Sequence, residues 1–335
     1  MPEGGGPVIH GGCVWETGHP ADWLDFSASL RPEGPPEWVT DALRSTLEDI
    51  RYYPDPDMTR ARRGLAAYTG LPEDRILPTA GGTAAIDLAL ARLDGCVYIP
   101  EPAFGEYAHR AEVHGRRHAA WNGNIGRGDT LILSNPDNPT GTVREGEELL
   151  ALHRRLHSAG AELVVDEAFI DYCPEYSLRD YTAPGLVIVG SLTKILGIPG
   201  VRLGFLCAEP EVIRGLRERM LPWSLSAQAS EIAARLPAHT DGIRKDTETN
   251  RRRREKLTKQ LEELGAAVIP SRSNFLLADF RQDMTGPAEE LKSRGILVRT
   301  CGSFGLGNGF LRLAVRTETE NEQLITALEG ILHAR

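Results

Sequence analysis

Four short apolar runs, each ending in polar residues, constrain this chain more than any other feature. They are "CVYIP" (Cys96–Pro100), "TLILSNP" (Thr130–Pro136), "AELVVDEAF" (Ala161–Phe169) and "GLVIVGSLTK" (Gly185–Lys194). Stretches such as "TAAIDLALARL" and "EGEELLALHRRLHSAG" lie among them, with apolar residues at helical spacing. Strands that are apolar throughout, not alternating, are buried on both faces, which calls for a parallel sheet covered by helices. The expected class is therefore α/β with a mostly parallel central sheet. Ligands of such sheets gather at the carboxyl ends of the strands, where Asp166 and Lys194 fall.

The pattern changes after Pro222. A long charged helical region reaches Gly265, and "AVIP", "SNFLLADF", "ILVRTC" and "FLRLAVR" follow with helices among and after them. This predicts a smaller α+β domain over 223–335, a large domain over 36–222, and a Gly/Pro-rich arm over 1–35. The 335 residues are ample for two cores. Arg251–Arg254 form a basic run, but acidic neighbours and leucines at helical spacing make it a solvated helix face.

A net charge of −9 argues against nucleic acid or an anionic membrane as the main partner. The five cysteines are scattered, without CxxC or a metal-like grouping with histidine, which fits free thiols in a reducing compartment. The chain opens without a secretory pattern, and no apolar run approaches the roughly 20 residues of a membrane helix. A cytoplasmic protein is expected.

The chemistry concentrates in four places. Asp166 ends an apolar run, as a helix N-cap does, or as the partner of a heterocyclic cation does. "SNPDNPTGT" (Ser134–Thr142) is rich in turn residues. "PTAGGTAAIDLAL" sets Gly81, Gly82 and Thr83 at a helix start, where backbone N–H groups and the helix dipole favour an anion; it also reads as a plain turn. "GSLTKILGIPGVRLGF" (Gly190–Phe205) puts a lysine among hydroxyls, with Arg202 after a glycine-rich turn. Together these supply what pyridoxal phosphate needs: an amine for an imine, a carboxylate for the pyridine nitrogen, and a phosphate cradle.

At this point the chain resembles the fold-type I pyridoxal-phosphate enzymes of the class I/II aminotransferase group. "HGG", "LDFSASLRPEGPP", "RYYPDPD", "EPAFGEY", "NPDNPTG", "DEAFIDY", "SLTKILGIPGVRLGF", "MLPWSLSAQA" and "ILVRTCGSF…LRLAVRT" carry a finer likeness. They resemble the threonine-phosphate decarboxylases of cobalamin biosynthesis nearly end to end, with histidinol-phosphate aminotransferases next by pattern. The resemblance implies Lys194 as the Schiff-base lysine, Asp166 at the pyridinium and Asn138 at the ring oxygen. It implies Ser191, Thr193, Arg202, Gly82 and Thr83 at the cofactor phosphate, and Phe104 stacked on the ring. It implies Tyr53 reaching the cofactor phosphate of a neighbouring subunit, hence a homodimer with shared sites. On the substrate side it implies Arg312 at the α-carboxylate, where a planar fork suits the group, with Arg299, His10 and Asn274 nearby.

Position 169 separates the two activities. Aminotransferases of the group usually carry a tyrosine there whose hydroxyl touches the ring oxygen; here it is Phe169, as in the decarboxylase pattern. The expected reaction is decarboxylation of a phosphorylated amino acid, with transamination of the histidinol-phosphate type as the alternative. The arm departs from the decarboxylase pattern: Ser29 and Arg31 replace two asparagines, and Cys13 replaces the one after His-Gly-Gly. Arg31 either adds a cation for the substrate or faces solvent.

Overall fold

The structure, a computed structural model, describes residues 8, 10–15 and 19–333. Residues 1–7, 9 and 16–18 of the expected arm, and 334–335 of the expected small domain, lie outside the described residues.

The larger sheet has seven strands: β1 (Ile76–Thr79), β2 (Val97–Ile99), β3 (His118–Ala120), β4 (Thr130–Ser134), β5 (Glu162–Glu167), β6 (Leu186–Ser191) and β7 (Gly204–Cys207). Their order across the sheet is β1-β7-β6-β5-β4-β2-β3, parallel except for β7, which runs antiparallel to both neighbours. All four apolar runs are strands of this sheet. β4, β5 and β6 are buried along their whole length, as apolar strands covered on both faces must be. β1, β3 and β7 are too short or too mixed to stand out in sequence; β3 is an exposed edge.

Seven helices accompany this sheet: α1 (Glu37–Ser45), α2 (Thr59–Thr69), α3 (Gly82–Leu90), α4 (Glu106–Val113), α5 (Gly146–Ser158), α6 (Pro210–Arg219) and α7 (Ala227–Arg235). The long α8 (Thr240–Glu263) leads to a second, antiparallel sheet. Its strands β8 (Ala267–Val268), β9 (Phe275–Asp279), β10 (Arg299–Thr300) and β11 (Phe310–Ala314) lie in the order β10-β11-β9-β8. α9 (Thr285–Ser293) and α10 (Glu318–His333) complete this part. "ILVRTC" divides between two sheets: Ile296–Leu297 pairs in parallel with Leu24–Asp25 of the arm, while Arg299–Thr300 is β10.

Two apolar cores result. The first packs both faces of the larger sheet, and takes in Leu225, Ala229, Ile232, Ala233, Leu236 and Ile243. The second gathers Leu257 and Leu261 of α8, the inner faces of β9 and β11, and Phe26 of the arm. The chain therefore passes from one core to the other within α8, beyond the division expected after Pro222. The basic run of α8 is only partly a solvated face. Arg251 pairs with Glu248 and Glu255, whereas Arg253 bridges to Glu33 and Glu318, and buried Arg254 donates to the Ser273 carbonyl at 2.9 Å. Among the described residues, no helix is long and apolar enough to cross a membrane.

Candidate active site

The carboxyl ends of β4, β5 and β6 deliver their polar residues side by side. Ser134 is the register partner of Asp166, and Asp166 that of Val189, two residues before Ser191. β6 ends at Ser191, so the chain turns there and Lys194 follows at the mouth of the sheet. The Lys194 carbonyl accepts from the Arg31 backbone N–H at 3.1 Å and the Tyr172 hydroxyl at 3.4 Å. The arm thus closes over the lysine. A cavity of about 450 Å³ is lined by Gly82, Thr83, Phe104, Asn138, Asp166, Ser191, Thr193, Lys194, Arg202, Arg312 and His10 among others.

One end of this cavity is a cradle suited to an anion. α3 starts at Gly82 with no side chain capping the N–H groups of its first turn, and Gly82 and Thr83 of that turn line the cavity. Ser191 Oγ and Thr193 Oγ1 lie 2.9 Å apart beside it. Arg202 holds a left-handed backbone (φ 63°), uncommon for a non-glycine, and donates from Nη1 to the Pro199 carbonyl at 3.0 Å. Two glycines permit the approach. A Cβ on Gly81 (φ +89°) would sit 2.7 Å from Arg202 Nη2, and one on Gly204 would sit 2.6 Å from the Gly81 carbonyl carbon. These hydroxyls, N–H groups and guanidinium together suit a phosphate monoester, and Lys194 suits the aldehyde that accompanies it in pyridoxal phosphate.

Burial sets the charges. Desolvation pushes the Lys194 amine down to about 8, helped by Arg312 and Arg202 and opposed by Asp166. A lysine so placed is part neutral, and therefore nucleophilic, near neutral pH. Burial raises the Asp166 carboxyl, while the Tyr107 hydroxyl and the Ala168 N–H, donating at 2.6 Å and 3.0 Å, oppose the rise. Those two donors also fix which way the carboxylate points. Phe104 stands in the cavity wall, edge-on to Tyr107 at 5.7 Å between ring centroids.

The other end is cationic. Arg312, on β11, donates from Nη1 to Asn138 Oδ1 at 2.6 Å and from Nη2 to the Ser27 carbonyl at 3.0 Å. Burial, then Arg299, lowers it to about 10. Arg299, opposite on β10, donates to Ser303 Oγ at 2.6 Å. Both arginines, His10, Phe104 and Phe304 line an adjoining cavity of about 290 Å³. His10 Nε2 lies 2.9 Å from Glu106 Oε1. Ser29, only 4 % exposed, lines the larger cavity, and its Oγ has no hydrogen-bond partner among the described residues. Phe169 also lines it, apolar and edge-on to Phe275 at 5.0 Å.

Two of the residues singled out from sequence stand apart from the cavity. Tyr53 is 78 % exposed and stacks on Trp223 at 4.4 Å. Asn274 is buried behind the wall, donating to the Tyr172 hydroxyl at 3.1 Å. Neither reading of Arg31 holds. Its guanidinium is committed to both oxygens of Asp246 on α8, at 2.8 Å and 3.2 Å, and to the Gly34 carbonyl. Tyr107, Glu106 and Ser134 belong to the cavity or its support and escape the sequence reading. The one signal for Tyr107 is its place three residues after Phe104, at the start of α4.

Comparison with known proteins agrees with this architecture. The family model described as aminotransferase class I and II matches residues 21–328. The chain is 31% identical to the threonine-phosphate decarboxylase of Salmonella typhimurium strain LT2, over 96% of both chains. It is 32% identical to a histidinol-phosphate aminotransferase of Symbiobacterium thermophilum, over 93% of this chain and 91% of that one. The solved L-threonine-O-3-phosphate decarboxylase of Porphyromonas gingivalis superimposes with a TM-score of 0.81 at 27% identity, covering 92% of this chain and 99% of that one. A buried lysine at the strand ends, in a chain matched over this length, has one family reading: the protein belongs to the class I and II aminotransferase family.

Proposed function

We propose that this chain is a homodimeric, pyridoxal-phosphate-dependent decarboxylase of an O-phosphorylated amino acid. L-Threonine O-3-phosphate would give (R)-1-amino-2-propanol O-2-phosphate and CO₂. The observation that carries this reading is a pair of arginines: Arg312 lines the Lys194 cavity, and Arg299, its register partner, lines the adjoining cavity that Arg312 shares. A substrate bearing both a carboxylate and a phosphate needs two such cations. Phe169, without a hydroxyl, and the full-length match to a threonine-phosphate decarboxylase support the same choice.

Pyridoxal phosphate, when bound, supplies an electron sink for the substrate's Cα bonds. Ser191, Thr193, Arg202 and the first turn of α3 would hold its phosphate, and Asp166 its ring nitrogen. Tyr107 keeps the Asp166 carboxylate oriented through its 2.6 Å hydrogen bond. Arg312 and Arg299 would bind the substrate's two anionic groups, and the amine of Lys194 would attach the cofactor until the substrate's own amino group displaces it. As the Cα–carboxylate bond breaks, CO₂ leaves and the electron pair stays with the substrate. The Lys194 amine, able to carry a proton near neutral pH, returns one to Cα. Tyr53, with the exposed Leu47, Ile50, Tyr52, Leu221 and Trp223, offers an apolar surface for a second copy.

Turnover of L-threonine O-3-phosphate by the yellow purified protein tests this. CO₂ should form with no 2-oxo acid added. A requirement for 2-oxoglutarate, with glutamate as product, would replace decarboxylation by transamination. Elution as a monomer would remove the role of Tyr53.

A further inference from the structure

Arg299 and Arg312 are register partners on adjacent antiparallel strands. Like charges directly opposite each other destabilise a strand pair, and a carboxylate between them would be the common remedy. Among the described residues no carboxylate makes an ion pair with Arg312, and Asp25 acts on it only at longer range; its two side-chain hydrogen bonds go to the neutral Asn138 Oδ1 and Ser27 carbonyl, and its Nε is unpartnered. Its guanidinium lies instead over two aromatic rings, 5.3 Å from the centroid of Phe275 and 5.5 Å from that of Phe304. The Phe304 ring serves the other arginine as well, with the Arg299 guanidinium 5.1 Å from its centroid.

An aromatic face attracts a cation through its quadrupole while carrying no charge of its own. A carboxylate in the same place would neutralise the arginines, and an entering anion would have to displace it. We propose that Phe304 is a positioning residue: its ring gathers Arg299 and Arg312 into one two-cation clamp and leaves Arg312 without a contacting carboxylate, open to an anionic substrate. The identification of the two captured groups as carboxylate and phosphate rests on the function proposed above; the clamp itself rests on the ring geometry. Phe304 ends the short turn Gly302–Phe304, is followed by Gly305 in a left-handed conformation, and belongs to neither core. It also lines a groove of about 460 Å³ that shares Phe104, Gly105 and Ser303 with the arginine cavity.

The test compares Phe304→Leu, which keeps bulk and loses the π face, with Phe304→Tyr, which keeps both. In the holoenzyme, Phe304→Leu should raise the KM for L-threonine O-3-phosphate about tenfold, from two lost cation–π contacts, with kcat within about twofold. Phe304→Tyr should stay near wild type. The inhibition constant of inorganic phosphate should rise in parallel with KM. An unchanged KM and phosphate constant in Phe304→Leu overturns the proposal, as does an equal loss in both variants. If the wild-type protein decarboxylates no phosphorylated amino acid, the function proposed above fails, and phosphate binding read from the cofactor absorbance still decides. Phosphate bound about tenfold more weakly by Phe304→Leu than by wild type supports the clamp; equal binding overturns it.

Discussion

The two ends of the cavity are built differently. The anion cradle and Lys194 come from the ends of β5 and β6 and the start of α3, elements of one sheet packed on one core. The cationic end comes from three separate places: the arm with His10 and Ser29, the start of α4 with Glu106, and the small sheet with Arg299 and Arg312. The first end is held by strand register. The second exists only while the arm and the second core stay docked against the first. The difference teaches that cofactor attachment and substrate choice can fail separately.

Substitutions should therefore sort by end. Lys194→Ala should remove the cofactor's visible absorbance and lower kcat/KM on the order of 10⁴-fold or more. Retained absorbance would break the assignment of the first end. Arg312→Gln should keep the absorbance and lower kcat/KM roughly 100-fold, the loss of charge-assisted hydrogen bonds to the substrate. A bleached Arg312→Gln protein would mean that the two ends are not separable.

The first end can also be probed by pH. The Lys194 amine is held below the usual lysine value, at about 8, so it is protonated below that pH and neutral above it. The rate at which apoprotein takes up pyridoxal phosphate should rise about tenfold per pH unit up to that point and then level off. A rate still climbing well above it would show an ordinary, solvated lysine. Tyr107→Phe removes one donor from Asp166 and should cost about 1 kcal/mol, roughly fivefold in kcat/KM, with no change in KM. Arg31→Gln should leave kcat/KM within about twofold and lower stability by about 1 kcal/mol, since Arg31 ties the arm to Asp246. A selective loss of substrate binding in Arg31→Gln would restore it to the second end.

Much of the first end was legible because its signals are short-range. Apolar runs without alternation announce buried parallel strands, and a residue just past such a run must lie at the strand's carboxyl end. The placement of Asp166 and Lys194 follows from that rule, while the roles expected of them rest on the family resemblance. Ser191, Thr193 and Arg202 are carried by the same stretch, although the left-handed backbone at Arg202 has no local signature. The weak strands β1 and β7 were not legible, because β7 is antiparallel and its place beside β6 depends on the turn through Gly197–Arg202. The passage of α7 into the first core was hidden too, since its amphipathic pattern fits either core.

Sequence by itself determined the α/β class and which polar residues stand at the strand ends. Periodicity and turn chemistry act over a few residues and need no knowledge of the rest of the chain. Only the tertiary structure decided which remote partner each polar side chain takes. Arg31 meets Asp246, Asn138 meets Arg312, and His10 meets Glu106, across separations of 215, 174 and 96 residues. A buried polar group must find a complement, and packing, not local sequence, decides which one is within reach.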